Sequence, residues 1–258
     1  FDHFGLLNIM KSADSGGEAW LPNISVEGKA EDLSKNPQWE GLGNRTEYPT
    51  TDVRPQGDFG YSPTAFAGGN RGELGGLIFR GDCRYPNKMA CYGDRLSPLT
   101  LDKPLLVSGK VSLRRGVSDS TTLIGFYHSK ESMATNDSQK YALPNCFLGI
   151  AIEGPSRDGF YFYPAYRIDE SVTESTPYRI APRILPDGTT HNWSLTYTPT
   201  AEGGEVVLTF DGKSVTLKTP QSVTQSKATF DRFGIITTWI DGNGQRVYYD
   251  DLTYTVRQ

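Results

Sequence analysis

The sequence predicts an all-β fold, an antiparallel two-sheet β-sandwich with a long loop-rich N-terminal segment. From residue 77 onward, short runs of alternating or β-branched residues recur at hairpin-like spacing. The chain of 258 residues holds 28 Gly, 16 Pro and 14 Tyr, a composition typical of short strands joined by tight turns. No long run has a helical period, and neither a repeat nor a domain boundary is visible. We therefore predict a single domain over residues 1–258.

The loop-rich segment covers about residues 36–80. Its central part, from Gly57 to Gly76, is rich in glycine, polar and aromatic residues. This aromatic content is too high for a disordered linker, and a compact domain seldom carries so long an irregular stretch without a functional reason. We therefore expect functional residues to concentrate in this segment.

Nine strands are predicted after it. The first, at 105–113, alternates apolar and polar residues as a half-buried strand does. Asp211-Gly212 is a strong two-residue hairpin signal between strands at 205–210 and 214–217. The other predicted strands lie at 121–128, 146–153, 160–167, 191–197, 232–239 and 245–256.

Charge and hydropathy exclude two classes of partner. The formal net charge is −4, from 26 Lys and Arg against 30 Asp and Glu, and no basic run is longer than Arg114-Arg115. Nucleic acids and anionic membrane surfaces require clustered positive charge, so we expect neither as the main partner. No apolar run reaches the ~20 residues that span a bilayer, so we expect no membrane insertion. The chain opens at Phe1 without an initiator Met, and we expect that an upstream segment has been removed.

The three cysteines leave one alternative open. Cys83 and Cys91 flank a short loop, so they form either a local disulfide or two free thiols. Cys146 lies in an apolar run and is expected to be a small core residue. No spacing of Cys and His resembles a zinc ligand set.

Four motifs in the second half resemble one superfamily. They are the tryptophan strand Trp193–Tyr197, the strand-turn-strand Val206–Lys213, the strand Phe230–Ile235 and the final strand Val247–Tyr254. Together they resemble the concanavalin A-like, laminin-G-like jelly-roll superfamily over roughly residues 185–256. The resemblance implies a jelly roll, a secreted, cell-surface or periplasmic location, and a glycan as partner. The superfamily holds lectins, carbohydrate-binding modules, glycoside hydrolases and polysaccharide lyases, so it specifies a fold rather than an activity.

Two subfamily signatures are absent from the sequence. One is the Glu-x-Asp-x-x-Glu arrangement of laminarinase-like hydrolases. The other is the Gln-Ile/Val-His strand of alginate-lyase-like jelly rolls. Both subfamilies are therefore disfavoured by the sequence, and the family stays open.

The loop-rich segment supplies the first candidate site. Aromatic faces stack on sugar rings, and planar Arg, Asn and carboxylate groups bind hydroxyls. Glu40 and Glu73 are predicted as the catalytic acid/base pair of a glycosidase, which needs two carboxyl groups flanking the bond. The alternative is that they pair with arginines and merely hold the loop. The predicted substrate-binding residues of this segment are Trp39, Asn44, Arg45, Tyr61, Arg71 and Arg80.

A strand of four aromatics, Phe160 to Tyr163, supplies the second candidate. Alternation places Tyr161 and Tyr163 on one face, which is either a sugar platform with Arg167 or a packing surface. A Tyr beside an Arg and a His can also serve a β-eliminating lyase, with Arg neutralising a uronate carboxylate. His128 ends a predicted strand and is the candidate His, although a lone His is more often structural.

Asp250-Asp251 supplies a possible metal site. In domains that this chain resembles, an inward Asp on the final strand binds structural calcium together with N-terminal oxygens, and this implies Asp251 with Asp2 as ligands. The alternative is an Asp that accepts backbone N–H bonds. No organic cofactor is expected.

The sequence favours a secreted enzyme that cleaves polysaccharides or oligosaccharides in a groove on the concave face. A glycoside hydrolase, with Glu40 and Glu73 as its acid/base carboxylates, is preferred over a lyase. The first alternative is a carbohydrate-binding, lectin-like module without a reactive pair. The second alternative is an adhesive surface domain, which predicts an exposed apolar patch.

Overall fold

The computed structural model describes residues 4–7, 20–21, 23–41, 45, 57–82, 84–85, 88–117, 119–134, 143–154, 160–172, 180–237 and 242–256. Within these residues the chain forms sixteen strands and one short helix. The first eight strands are β1 (Ser25–Val26), β2 (Lys29–Ala30), β3 (Asp58–Ser62), β4 (Glu73–Phe79), β5 (Cys91–Thr100), β6 (Leu105–Arg115), β7 (Thr121–Tyr127) and β8 (Phe147–Glu153). They are followed by β9 (Phe160–Ile168), β10 (Ser171–Val172), β11 (Arg183–Ile184), β12 (Thr190–Thr200), β13 (Gly203–Phe210), β14 (Lys213–Pro220), α1 (Gln221–Thr224), β15 (Thr229–Ile236) and β16 (Gly244–Tyr254).

Two seven-stranded antiparallel sheets contain all the long strands. The first sheet has the order β14-β13-β12-β6-β16-β4-β3, and the second has the order β10-β9-β8-β7-β15-β5 with β11 also paired to β9. The chain crosses repeatedly from one sheet to the other, as in a jelly roll, so strands distant in sequence become neighbours. The predicted antiparallel two-sheet sandwich is confirmed, and all nine predicted strands are present within a few residues of their expected bounds.

A large apolar core joins the inner faces of the two sheets. Alternation directs Leu148, Ile150 and Ile152 of β8 inward, where they are at most 2% exposed. Across the interface, the ring of Phe162 lies 5.7 Å from the ring of Trp193 and 4.8 Å from the ring of Phe210. These centroid distances are typical of favourable aromatic pairs, so β9 is fixed against β12 and β13.

The outer face of the second sheet carries a smaller apolar cluster. Leu123, Phe147, Ala151 and Ile236 are each at most 1% exposed there, and Leu143 and Met133 from the neighbouring loops pack against them. The central part of this face is therefore a covered apolar surface.

A row of small residues crosses this outer face. The strand register aligns Gly93, Gly234, Gly125, Gly149 and Ala165 on five adjacent strands. A Cβ at Gly149 would lie 2.6 Å from the Cα of Gly125, and one at Gly93 would lie 2.6 Å from the Tyr127 hydroxyl. Close backbone approach and the ring of Tyr127 therefore occupy the space that side chains would need.

Two parts of the secondary structure differ from the prediction. The expected loop-rich segment contains β3 and β4, which pair with each other, and β4 also pairs with β16. The glycines of this stretch hid the strands, because Gly weakens the alternating signal. The edge strand β5 was not predicted either, since it is mostly exposed and contains Pro98.

No helix in the described part of the chain has the length and apolarity to cross a membrane.

Candidate functional site

Arg80 follows β4 of the first sheet and reaches the second sheet. Its side chain is 6% exposed, and its Nε donates to Thr121 Oγ1 at 3.0 Å. Its two amino nitrogens contact two carboxylates: Nη1 lies 2.8 Å from Asp119 Oδ1, and Nη2 lies 3.4 Å from Glu153 Oε1. Burial lowers the pKa of Arg80, and the two carboxylates offset part of that shift. The guanidinium stays charged and holds both acids in place.

Tyr163 completes the group. Its hydroxyl donates to Glu153 Oε2 at 2.5 Å, so the two oxygens of Glu153 are shared between Arg80 and Tyr163. The Glu153 side chain is 21% exposed and that of Asp119 is 40% exposed, so solvent reaches both carboxylates. Arg80, Asp119, Thr121, Glu153 and Tyr163 are referred to below as the Arg80 cluster.

The strand register extends the cluster along the end of the outer face. Glu153 pairs with Tyr161, and Tyr161 pairs with Arg183 of β11. The exposed guanidinium of Arg183 lies 5.8 Å from the centroid of the Tyr161 ring. Two tyrosines, two arginines and a partly exposed glutamate thus meet at one corner of the second sheet.

Three of the predicted site residues come together here, namely Arg80, Tyr161 and Tyr163. The sequence did not indicate Asp119, Glu153 or Arg183. Glu153 carried a signal that could have found it, because a lone carboxylate ends the otherwise apolar strand β8 on the outward-facing side. Asp119 and Arg183 lie in short polar stretches that resemble many others in the chain.

The predicted catalytic pair Glu40 and Glu73 has a different arrangement. Glu73 is 5% exposed and accepts hydrogen bonds from Thr64 Oγ1 at 2.5 Å, from the Phe66 amide at 2.9 Å and from the Ala67 amide at 2.7 Å. At 5% exposure the Glu73 carboxylate faces the loop rather than solvent, so we interpret Glu73 as the residue that fixes the 63–72 loop. Glu40 lies on an exposed segment.

Replacing Glu73 with alanine is expected to destabilise the domain by about 2–3 kcal/mol, because buried amide groups of the loop lose their acceptor. The exposed Glu202 is the matched control, and its replacement with alanine should cost less than about 0.5 kcal/mol. Urea denaturation of the two variants checks the difference. Equal midpoints would show that Glu73 does not hold the loop.

Other predicted binding residues of the loop-rich segment lie apart from one another. Arg71 donates from Nε to the Pro63 carbonyl at 2.6 Å and also holds the 63–72 loop. Tyr61 is 68% exposed on the edge strand β3.

Three of the predicted binding residues precede β3 in the chain. Trp39 is 41% exposed and packs edge-to-face on Phe4. Arg45 is exposed, and Asn44 lies outside the described residues.

Arg167 and His128 have structural partners. Arg167 is 7% exposed and donates from Nη1 to the Leu143 carbonyl at 2.9 Å and from Nε to the Asp169 carbonyl at 3.3 Å. His128 accepts the amides of Lys130 and Glu131 on Nδ1, at 3.2 and 3.1 Å, and so caps the turn after β7. Neither side chain lies in the Arg80 cluster, and the predicted binding role of Arg167 and catalytic role of His128 are not supported by these contacts.

The predicted calcium ligand Asp251 contacts a cation of the chain itself. Its Oδ2 lies 2.6 Å from Lys110 Nζ, and its side chain is 61% exposed. This carboxylate raises the pKa of Lys110 through hydrogen bonding and charge. The expected second ligand, Asp2, lies outside the described residues, among which no group of three metal-binding side chains occurs. Calcium stays a prediction.

Cys91 is an exposed free thiol and Cys146 a buried one, as expected for a core residue. Burial raises the pKa of Cys146 to about 11. Cys83 lies outside the described residues.

No family model matches the chain, and no curated protein matches it. Solved structures match it at low identity. Alginate lyase Aly36B is 11% identical with a TM-score of 0.42, over 72% of this chain and 82% of that one. Alginate lyase AlyC3 is 10% identical with a TM-score of 0.41, over 71% and 74%. Alginate lyase vAL-1 from Chlorella virus is 10% identical with a TM-score of 0.35, over 60% and 72%. At these TM-scores the likeness carries no argument about activity, and the conclusions below rest on the sheets and side chains of this chain.

Proposed function

We propose that this chain is a secreted domain that cleaves a uronate-containing polysaccharide by β-elimination at the Arg80 cluster. The observation that supports the proposal most strongly is the 2.5 Å hydrogen bond between Tyr163 and Glu153 at a solvent-accessible corner of the second sheet. A carboxylate base beside a phenolic acid is a proton-transfer pair, and β-elimination needs one base and one acid.

The chemistry assigns one role to each group. Glu153 removes the proton from C5 of the uronate, and the electron pair forms the C4=C5 double bond. The C4–O4 bond breaks, and Tyr163 donates its hydroxyl proton to the leaving oxygen. The proton on Glu153 then passes to the Tyr163 phenolate across their hydrogen bond, which is favourable because a phenol is a far weaker acid than a carboxylic acid. Both groups return to their starting states.

The surrounding side chains bind the substrate and position the reacting groups. Arg183 is exposed and is the cation available to neutralise the uronate carboxylate, which makes the C5 proton more acidic. Tyr161 is only 8% exposed, so its ring supports the Arg183 guanidinium rather than the sugar itself. Arg80 and Thr121 are positioning residues, because Arg80 binds the Glu153 oxygen that does not contact Tyr163.

Hydrolysis by a carboxylate pair fits this corner less well. In glycosidases the two carboxyl groups stand ~5–10 Å apart with the sugar linkage between them. Asp119 and Glu153 both contact one guanidinium, so the side chain of Arg80 occupies the space between them. A glycosidic bond would have to displace a buried ion pair. This is why we propose elimination rather than the hydrolysis that the sequence favoured.

A panel of glycans tests the proposal. The protein is incubated with alginate, polygalacturonate, a glycosaminoglycan and a neutral β-glucan, and each reaction is read for new reducing ends and for ultraviolet absorbance of unsaturated uronates. We expect both signals on at least one uronate polymer and neither on the neutral glucan. New reducing ends without absorbance would establish a hydrolase and overturn elimination. If no polymer gives either signal and the protein is retained on an immobilised glycan, the domain is a binding module instead.

A further inference from the structure

A second polar site lies at the end of the sandwich. A pocket of about 610 Å³ opens between the segment 180–183 and the turn that joins β13 to β14. Its lining is part apolar, from Ile180 and Val215, and part polar, from His191, Arg183 and Lys213. Arg183 borders both this pocket and the corner of the Arg80 cluster, whereas His191 and Lys213 belong to the pocket alone.

His191 is fixed in one orientation. Its Nδ1 lies 2.6 Å from Asp211 Oδ2, and its ring stacks on Phe210 at 4.7 Å. Asp211 is fixed in turn, because its Oδ1 accepts the Asn192 amide at 2.9 Å. Burial raises the pKa of Asp211, but the hydrogen bonds from His191 and Asn192 outweigh it and hold that pKa below its ordinary value. A carboxylate at Nδ1 sets the tautomer of a histidine and leaves Nε2 for a ligand.

The other ring nitrogen has no partner within the described part of the chain. His191 Nε2 is buried and makes no hydrogen bond. Buried polar atoms of native proteins are nearly always paired, so an unpaired imidazole nitrogen at a pocket indicates a group that binds there.

The charges around the pocket select the kind of ligand. Arg183 and Lys213 are both exposed, and neither forms an ion pair with any described residue. Among the described lining residues the one acidic group, Asp211, is already bound to His191. Arg183 and Lys213 therefore face a pocket in whose described lining the single carboxylate is already engaged. Such a site favours an anion with a small apolar body.

We propose that this pocket binds a small oxyanion-bearing molecule, with the oxyanion on His191 Nε2 and Lys213 and its apolar part against Ile180 and Val215. The site is distinct from that of the proposed elimination, although Arg183 borders both, since neither His191 nor Lys213 belongs to the Arg80 cluster. Carboxylates, sulfates and phosphates share the required chemistry, so the test includes more than one source of oxyanion.

Nitrogen NMR of the imidazole rings tests this directly, because the chain has only 3 histidines. The protein is titrated separately with inorganic phosphate and with free glucuronate. We expect a saturable shift of the His191 Nε2 resonance with at least one of them, and no shift of His128, whose Nδ1 caps a turn. A response to phosphate alone would identify inorganic anions as the ligands, and a response to glucuronate alone would identify sugar acids.

Charge variants complete the experiment. Lys213→Gln should weaken the binding at least tenfold, whereas Lys218→Gln, on the same strand and also exposed, should leave it unchanged. No shift of His191 with either anion, or equal affinity in the two variants, would overturn the proposal. Because the readout is binding to the folded protein, a failed test of glycan cleavage leaves this result unaffected.

Discussion

Replacing Tyr163 with phenylalanine is expected to lower kcat on a uronate polysaccharide by about 10²–10⁴-fold, the usual contribution of a positioned general acid. The change removes one hydroxyl and keeps the ring in place, so the domain should stay folded. Glu153→Gln should have an equally large effect, because an amide cannot remove the C5 proton. Initial rates of double-bond formation, followed by ultraviolet absorbance, measure both losses.

The control for this pair of variants lies on the same strand. Tyr166 faces the core from β9, on the side opposite Tyr163, and Tyr166→Phe should keep kcat within about twofold of the native value. Thermal melting of all three variants separates lost chemistry from lost folding. If Tyr163→Phe retains the native rate, the hydroxyl bound to Glu153 is a structural contact, and the proposed mechanism is wrong.

Replacing Gly149 with alanine is expected to destabilise the domain by about 3 kcal/mol or to prevent its folding. An added Cβ would collide with the Ile124 carbonyl and lie 2.6 Å from the Cα of Gly125. Both contacts are backbone atoms of the paired strand β7, so relief requires that β7 and β8 separate. This would break the ladder beneath the cluster of Leu123, Phe147 and Ala151.

The same substitution at Gly69 is the matched control, because a Cβ there would meet no atom within 4 Å. Gly69→Ala should change the free energy of unfolding by less than about 0.5 kcal/mol. Urea denaturation midpoints compare the two variants, and a low yield of folded Gly149→Ala counts as the larger effect. Similar midpoints would mean that the row of small residues is not required for the close strand pairing.

The fold followed from the sequence wherever burial left an alternating or β-branched pattern. Strands such as 121–127 and 147–153 are buried on both faces, and their apolar runs marked them clearly. Strand β4 was hidden by Gly75 and Gly76, and β5 by its exposed polar residues, because neither strand contributes a full apolar face. Their apolar sequence pattern is weak because both strands lie at or near the edges of the sheets.

The candidate site was less predictable, because it depends on the register of three strands and on one side chain from the other sheet. The sequence indicated Arg80 and Tyr163 as substrate-binding residues separately, in segments about 80 residues apart. Nothing in the sequence reveals that Glu153 lies between them, since that contact is created by the pairing of β7, β8 and β9 and by the reach of Arg80 from the first sheet. Glu73 is the converse case, because an acidic residue in a Gly-rich stretch looks available until its loop partners are known.

The most direct test of the central proposal is the mass of the products. Oligosaccharides released from a uronate polysaccharide by the native protein are separated and weighed by mass spectrometry. Elimination adds no water, so each fragment with a newly formed non-reducing end should be lighter by one water than the corresponding hydrolysis product, and Glu153→Gln should release none. Fragments of full hydrolytic mass, or equal release by Glu153→Gln, would contradict elimination at the Arg80 cluster.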